Sequence, residues 1–288
     1  MPLVNLSDVL QPALRNGYAV AGLVTLGWED MRAFVAAAEA GNVAVILQAG
    51  PGCRAHTPLP VVGRMLTWLA EQASVPVVVH LDHGYSAEEC RLAIECGFSS
   101  VMYDGSRKPL AQNIDETGEI AVMAHAAGVS CEGEIGFVGY SDGEESRGTV
   151  PEEAAQFASQ TGIDAMAISV GNVHLQQAAQ ARLDETRIRA IQALTTVPLV
   201  IHGGSGVPPD QRLQLARTTS VCKFNIGTEL RMAFGAALRA AVNEDPERFD
   251  RVAILGQTHE PVFRAALAVL HSMGCDATQG SSNSAAKR

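Results

Sequence analysis

The chain has 288 residues, of which 47% are hydrophobic and 18% charged, and it contains 27 glycines. That composition excludes a disordered polymer and suits one large globular core. The 31 acidic residues outnumber the 21 basic ones, giving a net charge of -10 with no run of five Lys or Arg, so nucleic acid and anionic membranes are poor partners.

In chain order, the opening MPLVNLSDVLQPALRNG has no basic stretch followed by an apolar run and a small-residue cleavage site. Nowhere do eighteen apolar residues stand in succession. The expectation is a soluble, cytoplasmic protein. From residue 19 a rhythm sets in, in which a short β-branched apolar run precedes a segment of helical spacing, repeating about every 25 to 40 residues. Strands are expected at 19–26, 43–49, 75–81, 99–104, 129–135, 165–171, 197–203 and 221–227. Helices are expected between them at 28–40, 59–73, 86–95, 110–127, 151–160, 184–194 and 208–216. Ser86, with Glu89 three residues on, reads as a capping box.

Eight near-continuously apolar strands alternating with helices predict an α/β fold, a closed parallel TIM (β/α)8 barrel. An open doubly wound sheet is the alternative. Against it, no GxGxxG follows the first strand, and polar residues gather at the C-terminal ends of several strands. Past the eighth strand, 229–242 and 261–273 have helical spacing, and their apolar content, including Phe234, Phe249 and Phe263, points to subunit contact. A single domain is expected over 1–275, followed by a disordered polar tail, DATQGSSNSAAKR, at 276–288. The six cysteines show no CxxC pairing and read as buried thiols.

The strand ends carry the chemistry. Strand three ends in HLDHG with Asp82 and His83, strand six runs into VGNVHL with His174, and strand seven into VIHGGSG with His202. Three imidazoles at equivalent positions match a metal site with three protein ligands and one open position, the arrangement of catalytic zinc. His80 lies one layer deeper and is expected to orient other groups. His56, His125, His259 and His271 sit in loop or helix contexts and read as ordinary histidines. Asp104 and Glu134, with Glu132 two residues before it on the same face, could orient the ligands, bind metal themselves, move protons or form an ion pair at the rim. The loops GGSG at 203–206 and NIGT at 225–228 follow the last two strands, where barrels hold phosphate. An anionic substrate beside a Lewis acid fits an enediolate-forming reaction on a sugar phosphate.

HLDHG, SVMYDGS, EGEIG, TVPEEAAQFASQTGID, VGNVH, HGGSG and KFNIGTEL stand in the order seen in class II, zinc-dependent ketose-bisphosphate aldolases. Over residues 1 to 275 the chain resembles that family, most closely its shorter branch of fructose-bisphosphate and tagatose-bisphosphate aldolases. The resemblance implies a barrel that cleaves a phosphorylated ketose to dihydroxyacetone phosphate and an aldehyde. It implies Zn2+ on His83, His174 and His202, with Asp82 as the acid serving the aldehyde oxygen and Asp104 and Glu134 near a secondary metal position. Gly203, Gly204, Ser205, Asn225, Gly227 and Thr228 match the residues that bind the donor's phosphate and hydroxyls. A homodimer or homotetramer is implied, and a monovalent cation is left open.

The chain also departs from the family. Leu175 stands where glycine usually follows the second zinc histidine. VGYSDG replaces GGxEDG, putting Ser141 in the place of the glutamate that exchanges the donor's proton, with Asp142, Glu144 and Glu145 as candidate substitutes. AGLVTLG and QAGPG replace the family's segments at the first and second strands. The expectation is therefore a retained metal centre with an altered acceptor side and a substrate other than the ordinary glycolytic one. Alternatives are a metal-dependent lyase or epimerase with another enediolate-forming donor, and a non-catalytic aldolase-like subunit. The lysines are Lys108, Lys223 and Lys287, and of these only Lys223 lies on a strand, a weak candidate for a covalent nucleophile.

Overall fold

The computed structural model describes residues 2–141 and 143–275. Its strands are β1 (Val20–Val24), β2 (Val45–Ala49), β3 (Val77–Gly84), β4 (Ser100–Tyr103), β5 (Ser130–Ile135), β6 (Ala165–Ile168), β7 (Leu199–Ile201) and β8 (Val221–Ile226). All are parallel, they neighbour one another in chain order, and β8 pairs back onto β1 to close the barrel. Closure removes the open doubly wound alternative.

Before the barrel comes α1 (Leu6–Asn16). Around it run α2 (Trp28–Gly41), α3 (Pro51–His56), α4 (Leu59–Gln72), α5 (Ala87–Glu95), α6 (Leu110–Ala126) and α7 (Pro151–Thr161). The second half adds α8 (Glu185–Gln192), α9 (Pro209–Thr218), α10 (Thr228–Glu244), α11 (Arg251–Gly256) and α12 (His259–His271). No described helix is long and apolar enough to cross a membrane. The expected tail at 276–288 lies outside the described residues.

Alternation along the strands sorts their side chains into two cores. Outward-facing residues such as Leu47, Val79, Val101 and Phe224 pack against the helices. Inward-facing Val20, Ile46, Val78, Met102 and Val200 form a separate cluster at the N-terminal end of the barrel, closed by Leu6, Val9, Leu10 and Ala13 of α1. The expected elements begin only at residue 19 and include no helix here, and Pro12 inside α1 works against one. Burial of one apolar stripe at i, i+3, i+4 and i+7 outweighs it. Toward the C-terminal end the interior turns polar, first with Gln48, His80, Glu132 and Lys223, then with Asp82, Glu134, His202 and Asn225, all buried. The strands are thus less uniformly apolar than their composition suggests, and their inward polar residues lie at one end.

The predicted capping box is half present. Ser86 Oγ accepts the Glu89 N–H at 3.1 Å, but the Glu89 carboxylate accepts from the N–H of Tyr85, one residue before the cap. None of the six cysteines forms a disulfide; Cys53, Cys90, Cys131 and Cys222 are buried as expected, whereas Cys96 and Cys275 are only partly buried.

Candidate active site

The three histidines converge at the C-terminal mouth. His83 is part of β3, His202 directly follows β7, and His174 lies six residues beyond the end of β6 in a loop. Nitrogens of all three lie within 4.8 Å of one another. His83 Nδ1 bonds Asp104 Oδ2 at 2.8 Å, while its Nε2 meets His202 Nδ1 at 3.0 Å. His202 Nε2 bonds Glu132 Oε1 at 3.0 Å. In both rings a carboxylate holds one nitrogen and turns the other toward the shared point, which is how metal-binding imidazoles are oriented.

His174 depends on loop contacts. Its N–H donates to Gly139 O at 2.8 Å, its carbonyl accepts from Ser141 N at 3.1 Å, and the Tyr140 ring stacks on its imidazole at 5.0 Å. Asn172 Nδ2 donates to His202 O at 3.0 Å, tying this loop to the end of β7. Tyr140 lies within VGYSDG but is not singled out by the sequence, and this contact marks it.

The charges favour a cation at the histidines. Burial alone would pull the His83 imidazole down, but Asp82, the hydrogen bond to Asp104, and Glu134 push it up to about 10. Burial and the charge of Asp104 raise Glu134 to about 8. Burial, followed by repulsion from His83, lowers His174 to about 4 and also depresses His202, which keeps both imidazoles neutral and available as donors. Glu134 Oε2 is buried without a hydrogen-bond partner among the described residues and lies 3.6 Å from His83 Nδ1. His83, Asp104 and Glu134 make a second cluster with metal-ligand spacing.

Beneath the histidines a fully buried chain connects Lys223 Nζ to Glu132 Oε2 at 2.6 Å and to His80 Nε2 at 3.4 Å. His80 Nδ1 bonds Ser100 Oγ at 2.8 Å, consistent with the deeper, orienting place expected for it. With its ammonium paired to Glu132 inside the barrel, Lys223 neutralises the carboxylate that holds His202, an arrangement unlike that of an exposed amine nucleophile.

Asp82 is 5% exposed and accepts from Asn225 Nδ2 at 3.3 Å. Burial raises the Asp82 carboxyl, but the charge of His83 prevails and holds it below its ordinary range. It shares a cavity of about 230 Å³ with His83, His174, Gly203, Ser205 and Thr228. Gly203 has φ 63, and a Cβ there would lie 2.2 Å from Val173 O, so only glycine fits. Ser205 Oγ accepts the N–H groups of Gly227 and Glu229 at 3.3 Å each, drawing the turn after β7 onto the N-terminus of α10. Asn225 and Gly227 also line the cavity, whereas Gly204 lies behind it, where a Cβ would come within 2.9 Å of Asn225 O. Leu175 lines the mouth with a left-handed backbone, φ 61, the conformation that glycine favours.

Of the candidate proton carriers in the loop after β5, Glu144 pairs with Arg107, Glu145 is exposed, and Asp142 lies outside the described residues. Sequence reading also passed over Arg54, whose guanidinium bonds backbone at the ends of β2 and β3. Its only signal was an isolated cation in the small-residue run AGPGCRAH.

The chain matches the family described as class-II fructose-bisphosphate aldolase over residues 4–278. It is 35% identical over 281 residues to a fructose-bisphosphate aldolase of Geobacillus stearothermophilus, spanning 95% of this chain and 98% of that one. It is 38% identical over 258 residues to the 6-phospho-5-dehydro-2-deoxy-D-gluconate aldolase of Shouchella clausii, spanning 87% of each. The crystal structure of the YdjI aldolase from Escherichia coli K12 superposes with a TM-score of 0.82 at 28% identity, covering 95% of this chain and 98% of that one.

Proposed function

This chain belongs to the class-II fructose-bisphosphate aldolase family and is a carbon–carbon lyase, and we propose that it cleaves a ketose phosphate other than the ordinary glycolytic one, with the help of a divalent metal. The observation that carries the reading is the convergence of three imidazoles beside the buried carboxylate of Asp82. His83, His174 and His202 would hold the metal, Zn2+ being the natural occupant of a nitrogen set, with Asp104 and Glu134 as a neighbouring carboxylate position. A divalent cation bound there supplies a Lewis acid that polarises the ketose carbonyl and offsets negative charge developing on the donor half.

The remaining steps belong to the protein. Asp82, ionised at neutral pH, takes the proton from the hydroxyl at the bond being broken and returns it in the condensation direction. Asn225 fixes that carboxylate. Gly203 and Ser205, in the turn after β7, and Gly227 and Thr228, at the start of α10, surround the place of the donor phosphate, where the helix dipole favours an anion. A carboxylate of the 142–145 loop moves the donor's proton in place of the glutamate at Ser141. Three features support an unusual acceptor: Leu175 narrowing the mouth, the altered segments at the first two strands, and the relative from Shouchella clausii, whose name specifies a different sugar acid phosphate. The buried thiols fit a reducing, cytoplasmic setting, and the exposed Phe249 and Val252 on the C-terminal elements fit a homodimer or homotetramer.

Asp82→Ala is expected to lower kcat about 10²-fold or more, the usual worth of acid–base catalysis, while bound zinc per chain stays at the wild-type level. Metal content is read by emission spectroscopy and turnover by release of dihydroxyacetone phosphate from a panel of ketose phosphates. Full activity in the variant would remove Asp82 from the mechanism.

A further inference from the structure

Asp82 and His83 occupy an irregular corner. The β3–β4 register shifts between Leu81 and Gly84, and His83 takes a left-handed backbone with φ 55, which a side chain bearing a Cβ adopts at a cost. Such conformations persist where the surroundings over-determine them. One guanidinium binds the backbone of this corner. From α3, Arg54 Nη1 donates to Ala49 O at 2.6 Å and to Asp82 O at 2.7 Å, and Nη2 donates to His83 O at 2.9 Å. Its Nε donates to Glu89 Oε1 at 2.8 Å, and the other oxygen of Glu89 accepts the Tyr85 N–H at 3.0 Å. The side chain is only 7% exposed.

We propose that Arg54 is a positioning residue for the active site, whose planar fork fixes the backbone of Asp82 and His83 by binding the carbonyls at the ends of β2 and β3. The geometry is specific to arginine. A single rigid plane reaches three carbonyls and a carboxylate, anchoring the corner to α5, whereas a lysine ammonium is a point charge that cannot span them. The roles of Asp82 and His83 rest on the functional reading above, but the clamp itself is a feature of the backbone. A corner held this way keeps the carboxylate and the imidazole in fixed relation, and small misplacements of such groups have large kinetic effects.

The test compares Arg54→Lys and Arg54→Ala with the wild-type chain. Zinc affinity, measured by competition with a chromophoric chelator, is expected to fall about tenfold, as when groups behind a ligand are lost. In metal-free protein, amide hydrogen exchange is expected to accelerate at residues 82–85 and to stay unchanged in α1. For cleavage, kcat is expected to fall about 100-fold with KM changed less than about threefold, and guanidinium ion added to Arg54→Ala should recover part of both kcat and zinc affinity. Unchanged zinc affinity together with unchanged exchange at 82–85 would overturn the proposal. So would faster exchange throughout the chain with no recovery by guanidinium, the behaviour of an arginine needed only for folding. The affinity and exchange measurements require no turnover, so a wild-type chain that cleaved no ketose phosphate would count against the functional reading alone.

Discussion

Leu175 shows what a single residue reveals about the site. Its backbone sits at φ 61 and its side chain is 48% exposed, so it contributes little to the core while occupying a conformation that costs a non-glycine residue about 1 kcal/mol. Leu175→Gly should therefore stabilise the protein by about 1 kcal/mol and raise Tm by about 2 °C for a chain of this size. A thermal scan showing lower stability would contradict the strain. The departure was legible in the sequence as a bulky residue beside a metal-ligand candidate, and the backbone conformation explains why glycine suits the position. Titration is also a residue-scale property. In the metal-free protein, burial depresses His80, His174 and His202, with His174 brought to about 4 from an ordinary value of 6.5. Between those pH values the unfolded chain binds more protons at these residues than the fold does, so stability falls as pH drops through the window. Glu134, raised to about 8, and His83, raised to about 10, act in the opposite sense, but they are two groups against three. Tm after chelation is expected to fall from pH 6.5 to pH 4.5; a flat or rising Tm would contradict the burial of these imidazoles in neutral form.

Among the elements, the strands were readable because apolar runs of this length between turn signals have few other fates. The expected ends overran at β6 and β7, which stop at Ile168 and Ile201, so that His174 is carried by a loop rather than a strand end. Three helices escaped prediction for separate reasons. α1 contains Pro12, α3 is a six-residue segment beginning Pro-Gly, and α11 is equally short and buries no residue. Propensity is weak over such lengths, and tertiary packing decides. The joint between the β7 turn and α10 is a tertiary device of the same kind. Buried Arg212 donates from Nε to Gly204 O and Val207 O and from Nη2 to Glu229 Oε1 at 2.6 Å. Arg212→Ala should cost about 2–3 kcal/mol, because it takes the guanidinium away from the Val207 carbonyl and the Glu229 carboxylate. Urea unfolding with an unchanged midpoint would show that the joint contributes nothing to stability.

At the scale of the molecule, the barrel is divided along its axis into an apolar end sealed by α1 and a polar end that gathers the chemistry. This division is why position in the sequence located so much of the candidate site. A polar residue at the C-terminal end of an inward-facing strand has one place to go, and Asp82, His83, His202 and Asn225 all arrive there. What could not be read were relations between strands distant in sequence. These include Glu132 linking His202 to Lys223 across the interior, Tyr140 stacked on His174, and the Arg54 fork beneath the corner of β3. They depend on register and closure, which no local pattern encodes.

On the proposed function, these histidines and Asp82 serve an aldolase whose donor half is dihydroxyacetone phosphate. The most direct measurement is loss of the C3 proton signal of dihydroxyacetone phosphate by NMR in deuterated buffer, with and without chelator, since it needs no knowledge of the aldehyde. Stereospecific exchange that stops on chelation and returns with zinc is expected. Zinc-loaded protein that leaves the signal intact would contradict it and point to a different donor.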